Sequence, residues 1–246
     1  MRTTGCLLPL LLSALLMPSL HVAARASQLV MLVDRAADLP FAEFQGDQVR
    51  AGIQLQLGQM LAARLGMPLE VRAVPRKRIA QLLDAGHADL ACALLPEWLE
   101  AAVDWTQPFL PHAGVVITPQ VQPRPGGLDA LAGQPIGTIK GYAYRELEQA
   151  LGRGFVREDA PDSRTLLRML ELGRMKHASV NLQYLEYQRK LGIYKQALHP
   201  YLQTGAYETR CALSKRSALK VTRVDELISG LRSDGSLKRL LDQYRD

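Results

Sequence analysis

The stretch LLDAGHADLACALLPEWLEAAVDWTQPF, residues 82–109, decides the fold. It predicts, in order, the end of a helix, a turn at Gly86, a buried strand over 89–95, an exposed loop at 96–98 and the start of a second helix. In open α/β sheets, ligands bind outside the carboxyl ends of the strands. The loop that follows this strand is therefore a candidate binding site.

The first 26 residues have the pattern of a secretory signal peptide. Arg2 supplies the positive start, a leucine-rich run follows, and Ala24 and Ala26 are the small residues expected before cleavage after Ala26. An uncleaved membrane anchor is the alternative, although the run is shorter than the roughly 20 residues that a membrane span needs. We expect secretion to the periplasm and a mature chain that starts at Ser27.

The composition excludes several classes of function. Without the signal peptide the chain has 28 Lys and Arg against 24 Asp and Glu, a net charge of +4. These charges are interspersed rather than gathered in basic blocks with aromatic residues between them, which argues against nucleic acid as a partner. A mildly basic surface weakly favours an anionic ligand or an anionic membrane face. The histidines show no ligand-like spacing, so we predict neither a metal site nor a cofactor.

Two cysteines, Cys92 and Cys211, remain after the signal peptide. They lack the number and spacing of a zinc site. A catalytic thiol is a poor interpretation as well, since Cys92 lies inside an apolar strand. In an oxidising compartment they are either two buried thiols or one disulfide.

The mature chain alternates strand and helix patterns. Strands are predicted over 28–33, 69–74 and 89–95, with a helix from Arg50 to a cap at Gly66 and another from Pro75 to Gly86. This β-α-β-α-β order favours a parallel sheet. After a strand over 113–118 and a Pro- and Gly-rich segment the pattern restarts, with strands over 136–140, 155–156, 177–182 and 207–213 and two closing helices. The restart favours two similar α/β lobes.

Five short motifs occur in the order found in one protein family. They are PFAEF with Gly52-Ile53, LDAGHAD over 83–89, VDWTQPF over 103–109, LAGQPIGTIKGY over 131–142, and the closing helices over 231–244. In these motifs the chain resembles the bacterial periplasmic solute-binding proteins of the amino-acid type, family 3. The resemblance covers essentially the whole mature chain.

The resemblance implies an α/β, two-lobed periplasmic-binding-protein fold (type II). Each lobe is then a mostly parallel sheet flanked by helices, and two crossing strands join the lobes. Lobe 1 would comprise residues 27–117 and 211–246, and lobe 2 residues 118–210. Hinge closure around a ligand is the expected motion. The family's strand order would also place Cys211 beside Cys92, where a disulfide becomes feasible.

The chain departs from the family at two ligand-binding positions. Leu99 stands where the family has an arginine for the ligand carboxylate, and Asn181 stands where it has an aspartate for the ligand ammonium. One interpretation is a ligand that is not a standard α-amino acid zwitterion, such as a more aromatic solute or an organic anion. The other is a shifted register, with Arg76 or Arg78 supplying the positive charge.

The candidate site residues follow from these positions. Phe41 and Trp98 could clamp a ligand between aromatic rings, and Arg76 could bind its charge. Lys140 and Tyr142 flank a strand-to-helix turn whose free N–H groups favour an anion. Glu97 either binds a donor group or caps a helix. We therefore predict ligand binding by Phe41, Arg76, Glu97, Trp98, Lys140, Tyr142 and Asn181.

The predicted function is capture of a small polar or aromatic solute by lobe closure, without chemistry, in a monomer that delivers it to the membrane component of an ABC-type transporter or to a sensor. Two alternatives stay open. Some cyclohexadienyl dehydratases resemble this family, and Glu97 is the one candidate for the general acid that such an enzyme needs. The chain could also be a degenerate member that acts in signalling.

Overall fold

The computed structural model describes residues 28–245, so the signal-peptide prediction lies outside the described residues. The strands are β1 Leu29–Asp34, β2 Glu43–Gln45, β3 Gln48–Ala51, β4 Leu69–Val74, β5 Leu90–Leu94, β6 Val103–Trp105, β7 Leu110–Ile117, β8 Pro135–Ile139, β9 Val156–Ala160, β10 His177–Asn181 and β11 Leu202–Ser214. The helices are α1 Ile53–Leu65, α2 Arg76–Asp84, α3 Arg145–Leu151, α4 Ser163–Glu171, α5 Leu182–Lys190, α6 Val221–Ser233 and α7 Ser236–Asp242.

Lobe 1 is built on a parallel β4-β1-β5 sheet, as the alternating strand and helix pattern predicts. The carboxyl-terminal half of β11 adds to β5 in antiparallel orientation, and β6 pairs with the same part of β11. One face packs against α1, α6 and α7 around Met31, Leu57 and Leu227. The opposite face packs against α2 through Ile79 and Leu83. Strands that are covered on both faces need continuous apolar runs, and every residue of β1 is buried.

Lobe 2 repeats this construction on a smaller scale. Strands β10, β8 and β9 are parallel, and β10 pairs with β7 in antiparallel orientation. Helices α4 and α5 cover one face around Leu166, Leu170 and Tyr184, and α3 covers the other face through Leu147. The long strands β7 and β11 pair with each other and run from one lobe to the other. They are the two crossing strands that the family resemblance implies.

The helix ends follow local chemistry. Gly66 ends α1 in the left-handed conformation with φ 67°, as the sequence predicts, because a glycine there has no Cβ to clash. Asp162 caps α4, and its side chain accepts a hydrogen bond from the Thr165 N–H at 2.7 Å. Both signals lie within a few residues of the helix end, which is why they can be found without tertiary information.

Three predictions about the elements are wrong in detail. Helix α1 begins at Ile53 rather than Arg50, because the turn at Gly46-Asp47 closes a β2–β3 hairpin that occupies the preceding residues. No helix starts after Trp98: residues 96–98 form a single 3₁₀ turn, and the chain then enters β6 to pair with β11. The crossing strands start earlier than the sequence predicts, since their pairing partners are distant in the chain.

Cys92 and Cys211 form a disulfide between β5 and β11. Both residues are buried in the lobe 1 core, and 119 positions of sequence separate them. The bond therefore ties the returning end of β11 to the third strand of lobe 1. Within residues 28–245, no helix has the length and apolar character required to cross a membrane.

Candidate functional site

A cleft of about 200 Å³ lies between the lobes. Lobe 1 lines it with the carboxyl ends of β1 and β5 and the start of α2. Lobe 2 lines it with the end of β10 and the turn before α3, and the crossing strands form its back wall. The polar and aromatic lining includes Asp34, Phe41, Gln54, Arg76, Trp98, His112, Tyr142, Asn181, Tyr184 and Tyr207. A cleft built from strand ends of two lobes is the usual ligand site of such a fold.

An ion pair charges the lobe 1 wall. Arg76 opens α2, and its Nε donates a hydrogen bond to Asp34 Oδ2 at 2.6 Å. Asp34 ends β1 and is only 5% exposed. The guanidinium also lies over the Trp98 ring, with 5.5 Å from its carbon to the ring centroid. The two terminal nitrogens of Arg76 have no hydrogen-bond partner among residues 28–245 and remain able to donate to a ligand.

Four rings form a continuous aromatic group at the back of the cleft. His112 of β7 stacks on Tyr207 of β11 with centroids 4.9 Å apart, and on Phe41 at 5.8 Å. Trp98 meets the edges of His112 and Tyr207 at 5.7 and 5.9 Å. His112 and Tyr207 are direct cross-strand partners, so this stack lies on the two crossing strands, β7 and β11, which form the hinge between the lobes. Flat apolar surfaces of this kind favour planar or aromatic ligands.

His112 is held in its neutral form. Burial lowers its pKa from 6.5 to about 4, and the nearby positive charge of Arg76 acts in the same direction. Asn181 Nδ2 donates to His112 Nε2 at 2.9 Å, which requires an unprotonated ring nitrogen. The Asn181 Oδ1 accepts from the Tyr184 N–H at 2.9 Å and thereby caps α5. Both ends of the amide are thus committed to the protein.

The lobes touch at the cleft mouth. The Tyr142 hydroxyl of lobe 2 donates to the Ala36 carbonyl of lobe 1 at 3.2 Å. Behind it, the Tyr144 hydroxyl accepts from the Ile139 N–H at 2.7 Å, and burial raises the pKa of Tyr144 to about 12. Tyr144 is therefore a structural support of the wall, whereas Tyr142 is 38% exposed and faces the entrance.

The floor of the cleft holds an unpaired acceptor. Gln54, near the start of α1, is 4% exposed, and its Oε1 is buried without a hydrogen-bond partner among the described residues. Ala93 also lines the cleft, and its φ of 60° is a left-handed conformation that is uncommon for residues other than glycine. This backbone conformation occurs where the register of the β5–β11 pairing shifts, next to the disulfide. Such features are concentrated at ligand sites, where a bound N–H or O–H would satisfy the acceptor.

The structure brings most of the predicted site residues together. Phe41, Arg76, Trp98, Tyr142 and Asn181 all line the cleft. Glu97 and Lys140 do not: both are exposed and lie outside the lining, Glu97 within the 3₁₀ turn over 96–98 and Lys140 just after the end of β8. Leu99, at the family's arginine position, is a core residue with 5% exposure.

Several cleft residues were not found from the sequence, among them Asp34, Gln54, His112 and Tyr207. Asp34 could have been, because it directly follows a buried strand and so lies at a carboxyl strand end. Gln54 lies within the apolar helix pattern of α1 and gives no local signal. His112 and Tyr207 meet only because β7 and β11 pair across 95 positions of sequence.

Replacing Arg76 by Met should lower the free energy of unfolding by about 1–3 kcal/mol, because the buried Asp34 carboxylate loses its charged partner. Urea unfolding measures this effect, and Arg78→Met on the same helix turn is the matched control. The double variant Asp34→Asn/Arg76→Met should recover much of the loss. Equal effects of Arg76→Met and Arg78→Met would contradict an energetically important pair.

Comparison with known families agrees with this architecture. The family model of the bacterial extracellular solute-binding proteins, family 3, matches residues 30–246. The chain belongs to this family. Family 3 membership accounts for the order of the five sequence motifs and for the two crossing strands between the lobes.

Solved structures share the fold across nearly the whole chain. The substrate-binding protein of an amino acid ABC transporter is 19% identical, with a TM-score of 0.65 over 89% of this chain and 99% of that one. An ancestral amino acid-binding protein, a precursor of cyclohexadienyl dehydratase, is 15% identical with a TM-score of 0.70 over 89% and 96%. A histidine kinase sensor domain similar to periplasmic binding proteins is 21% identical, with a TM-score of 0.68 over 89% and 96%. At these identities the likeness shows the fold alone.

Among curated proteins, the virulence sensor proteins BvgS of Bordetella bronchiseptica and Bordetella parapertussis are similar over 112 residues. The identity there is 28%, and the matched region is 45% of this chain. It spans only 9% of the length of each sensor protein.

Proposed function

We propose that this family 3 protein binds a small polar or aromatic solute between its lobes in the periplasm and delivers it to the membrane component of an ABC-type transporter. The observation that carries the proposal is the cleft of about 200 Å³, which both lobes and the hinge line with aromatic rings around one available guanidinium. That volume suits a small organic molecule. Closure of the lobes would exclude water from it.

The ligand is not a standard α-amino acid zwitterion in this proposal. Leu99 lies in the core, and Asn181 lies in the cleft but uses its amide to cap α5 and to bind His112. Neither position therefore supplies the charged group that the family uses there to bind a zwitterion. Arg76 offers its terminal nitrogens, and the ring stack offers flat apolar surface. A planar solute that carries one acceptor group, such as an aromatic carboxylate, fits these donors and surfaces best.

A thermal-shift screen against aromatic acids, organic acids, polyamines and amino acids tests the proposal. A ligand at 100 times its Kd stabilises the folded state by about 2.7 kcal/mol, which raises the Tm of a chain this size by roughly 5–10 °C. We expect shifts from aromatic acids and none from standard amino acids. A clear rise in Tm with an amino acid alone would contradict the proposed ligand class. An unchanged Tm with every compound would argue against solute binding.

Trp98 provides a matched test of the site. Trp98→Ala should weaken binding of any ligand found in the screen by about tenfold or more, equivalent to about 1.4 kcal/mol, as measured by isothermal titration calorimetry. Trp105→Ala removes the same side chain from outside the cleft lining and should leave the affinity unchanged. Equal losses from the two variants would mean that the ligand binds elsewhere.

A sensor is the second candidate partner. Both the 28% identical BvgS segments and the histidine kinase sensor domain favour it. Co-purification with a sensor kinase, together with an unchanged uptake of the ligand in cells that lack this protein, would decide for signalling. A dehydratase activity is less well supported, because Glu97, the candidate general acid, lies outside the lining. Disappearance of prephenate on incubation with the purified protein would support that activity.

A further inference from the structure

Helix α5 of lobe 2 has a second face that does not belong to lobe 2. Tyr184, Leu185 and Gln188 point into the lobe 2 side and are buried. Gln183, Tyr187 and Lys190 follow the spacing i, i+4, i+7, which places them on one different stripe of the helix. Each member of this stripe contacts lobe 1 or the hinge.

The last member, Lys190, contacts the end of the chain. Its Nζ donates to the Arg245 carbonyl at 2.6 Å and to the Asp242 carbonyl at 3.5 Å. Asp242 is the last residue of α7, so the ammonium meets the negative end of that helix. A lobe 2 cation thus satisfies carbonyl groups at the end of a lobe 1 helix.

The middle member, Tyr187, contacts the core of lobe 1. Its ring lies 5.3 Å from the ring of Tyr244, centroid to centroid, and it packs against the cluster that α1, α6 and α7 cover. Tyr244 is 8% exposed, and its hydroxyl accepts a hydrogen bond from Gln56 Nε2 of α1 at 2.9 Å. Tyr244 is therefore fixed from both lobes.

The first member, Gln183, connects the stripe to the hinge and the cleft. Its Oε1 accepts from the Ala113 N–H of β7 at 3.2 Å. Gln183 also lines a small cavity of about 10 Å³ together with Phe41, Leu241 and Tyr244. Phe41 lines the ligand cleft as well, where it stacks on His112. The Phe41 side chain thus lies between the candidate ligand site and the carboxyl-terminal segment, residues 242–245.

We propose that the contact between the α5 stripe (Gln183, Tyr187 and Lys190) and residues 242–245 is an interlobe latch that sets the resting angle between the lobes. A rotation of lobe 2 about β7 and β11 moves α5 as a rigid element, because its other face is buried in lobe 2. Such a rotation must change the distance from Tyr187 and Lys190 to the carboxyl-terminal segment. Opening or closing of the cleft is therefore coupled to the making or breaking of this contact.

Double electron–electron resonance tests the latch without any ligand, so its outcome is independent of the proposed solute. Spin labels are attached at Lys77→Cys in lobe 1 and Glu148→Cys in lobe 2, two exposed helix positions. Tyr187→Ala and Lys190→Ala should each broaden the distance distribution or shift its mean. Tyr201→Ala, which removes a tyrosine from the lobe 2 surface, is the control.

Two conservative variants separate a latch from simple destabilisation. Tyr187→Phe keeps the ring contact and Lys190→Arg keeps the cation, so both should retain the distribution of the unsubstituted chain. Lys190 is exposed, and its alanine variant should fold even where Tyr187→Ala does not. Distributions for Lys190→Ala and Tyr201→Ala that superimpose on that of the unsubstituted chain would overturn the proposal.

Discussion

Replacing both Cys92 and Cys211 by alanine should lower the free energy of unfolding by about 2–5 kcal/mol. The disulfide closes a loop across 119 positions of sequence, so it removes much conformational freedom from the unfolded chain. It also joins the third strand of lobe 1 to the crossing strand that returns from lobe 2. Urea unfolding of a chain that starts at Ser27 measures the loss.

The unsubstituted chain in its reduced form is the control, because it lacks the cross-link but keeps both side chains. Its stability should lie close to that of the double alanine variant, and any remaining difference is the packing contribution of the two sulfur atoms. Titration of two free thiols in the denatured, unreduced protein would contradict the disulfide.

Acidification from pH 7 to pH 4 should cost the protein about 3 kcal/mol through His112 alone. The pKa of His112 is about 4 in the folded chain and 6.5 in the absence of burial. Between these values the unfolded chain binds a proton that the folded chain does not, so stability falls as the pH drops from 6.5 to 4. Well above pH 6.5 both states are neutral at this residue, and its contribution is constant.

Comparison of the unsubstituted chain with His112→Gln isolates this effect. The glutamine variant loses the ring stack at every pH but should lose about 3 kcal/mol less between pH 7 and pH 4. His177, whose pKa burial also lowers, is present in both proteins, and its contribution cancels. Parallel profiles for His112→Gln and the unsubstituted chain would show that His112 titrates normally.

The strand and helix order was predictable because its signals are local. The apolar run of β1, the turn at Gly86 and the cap at Gly66 each act within a few residues. Two of the errors, the missing helix after Trp98 and the starts of the crossing strands, come from pairing between strands that are distant in the chain. The helix expected after Trp98 gives way to β6 because Val103–Trp105 finds a pairing partner in β11, more than 100 positions later. Pairing at that distance leaves no local pattern.

The candidate site, too, contains residues that the sequence identifies and residues that it does not. Phe41, Arg76 and Trp98 lie just beyond or between strands, and the rule that ligands bind at strand ends finds them. Glu97 precedes Trp98 directly yet lies outside the cleft, because a 3₁₀ turn points successive side chains in different directions. The order of residues near a strand end thus identifies a loop but not which of its side chains enters the cleft.

By itself, the sequence determined the α/β class, the two-lobed family fold and the departures at Leu99 and Asn181, since these depend on residue type and spacing. Only the tertiary structure decided what the stretch over 82–109 contributes. Its strand carries half of a disulfide, Leu99 fills the core, and Trp98 joins a ring stack with residues of both crossing strands. The reason is physical: the disulfide, the burial of Leu99 and the ring contacts join segments that are far apart in the sequence and meet only in the folded chain.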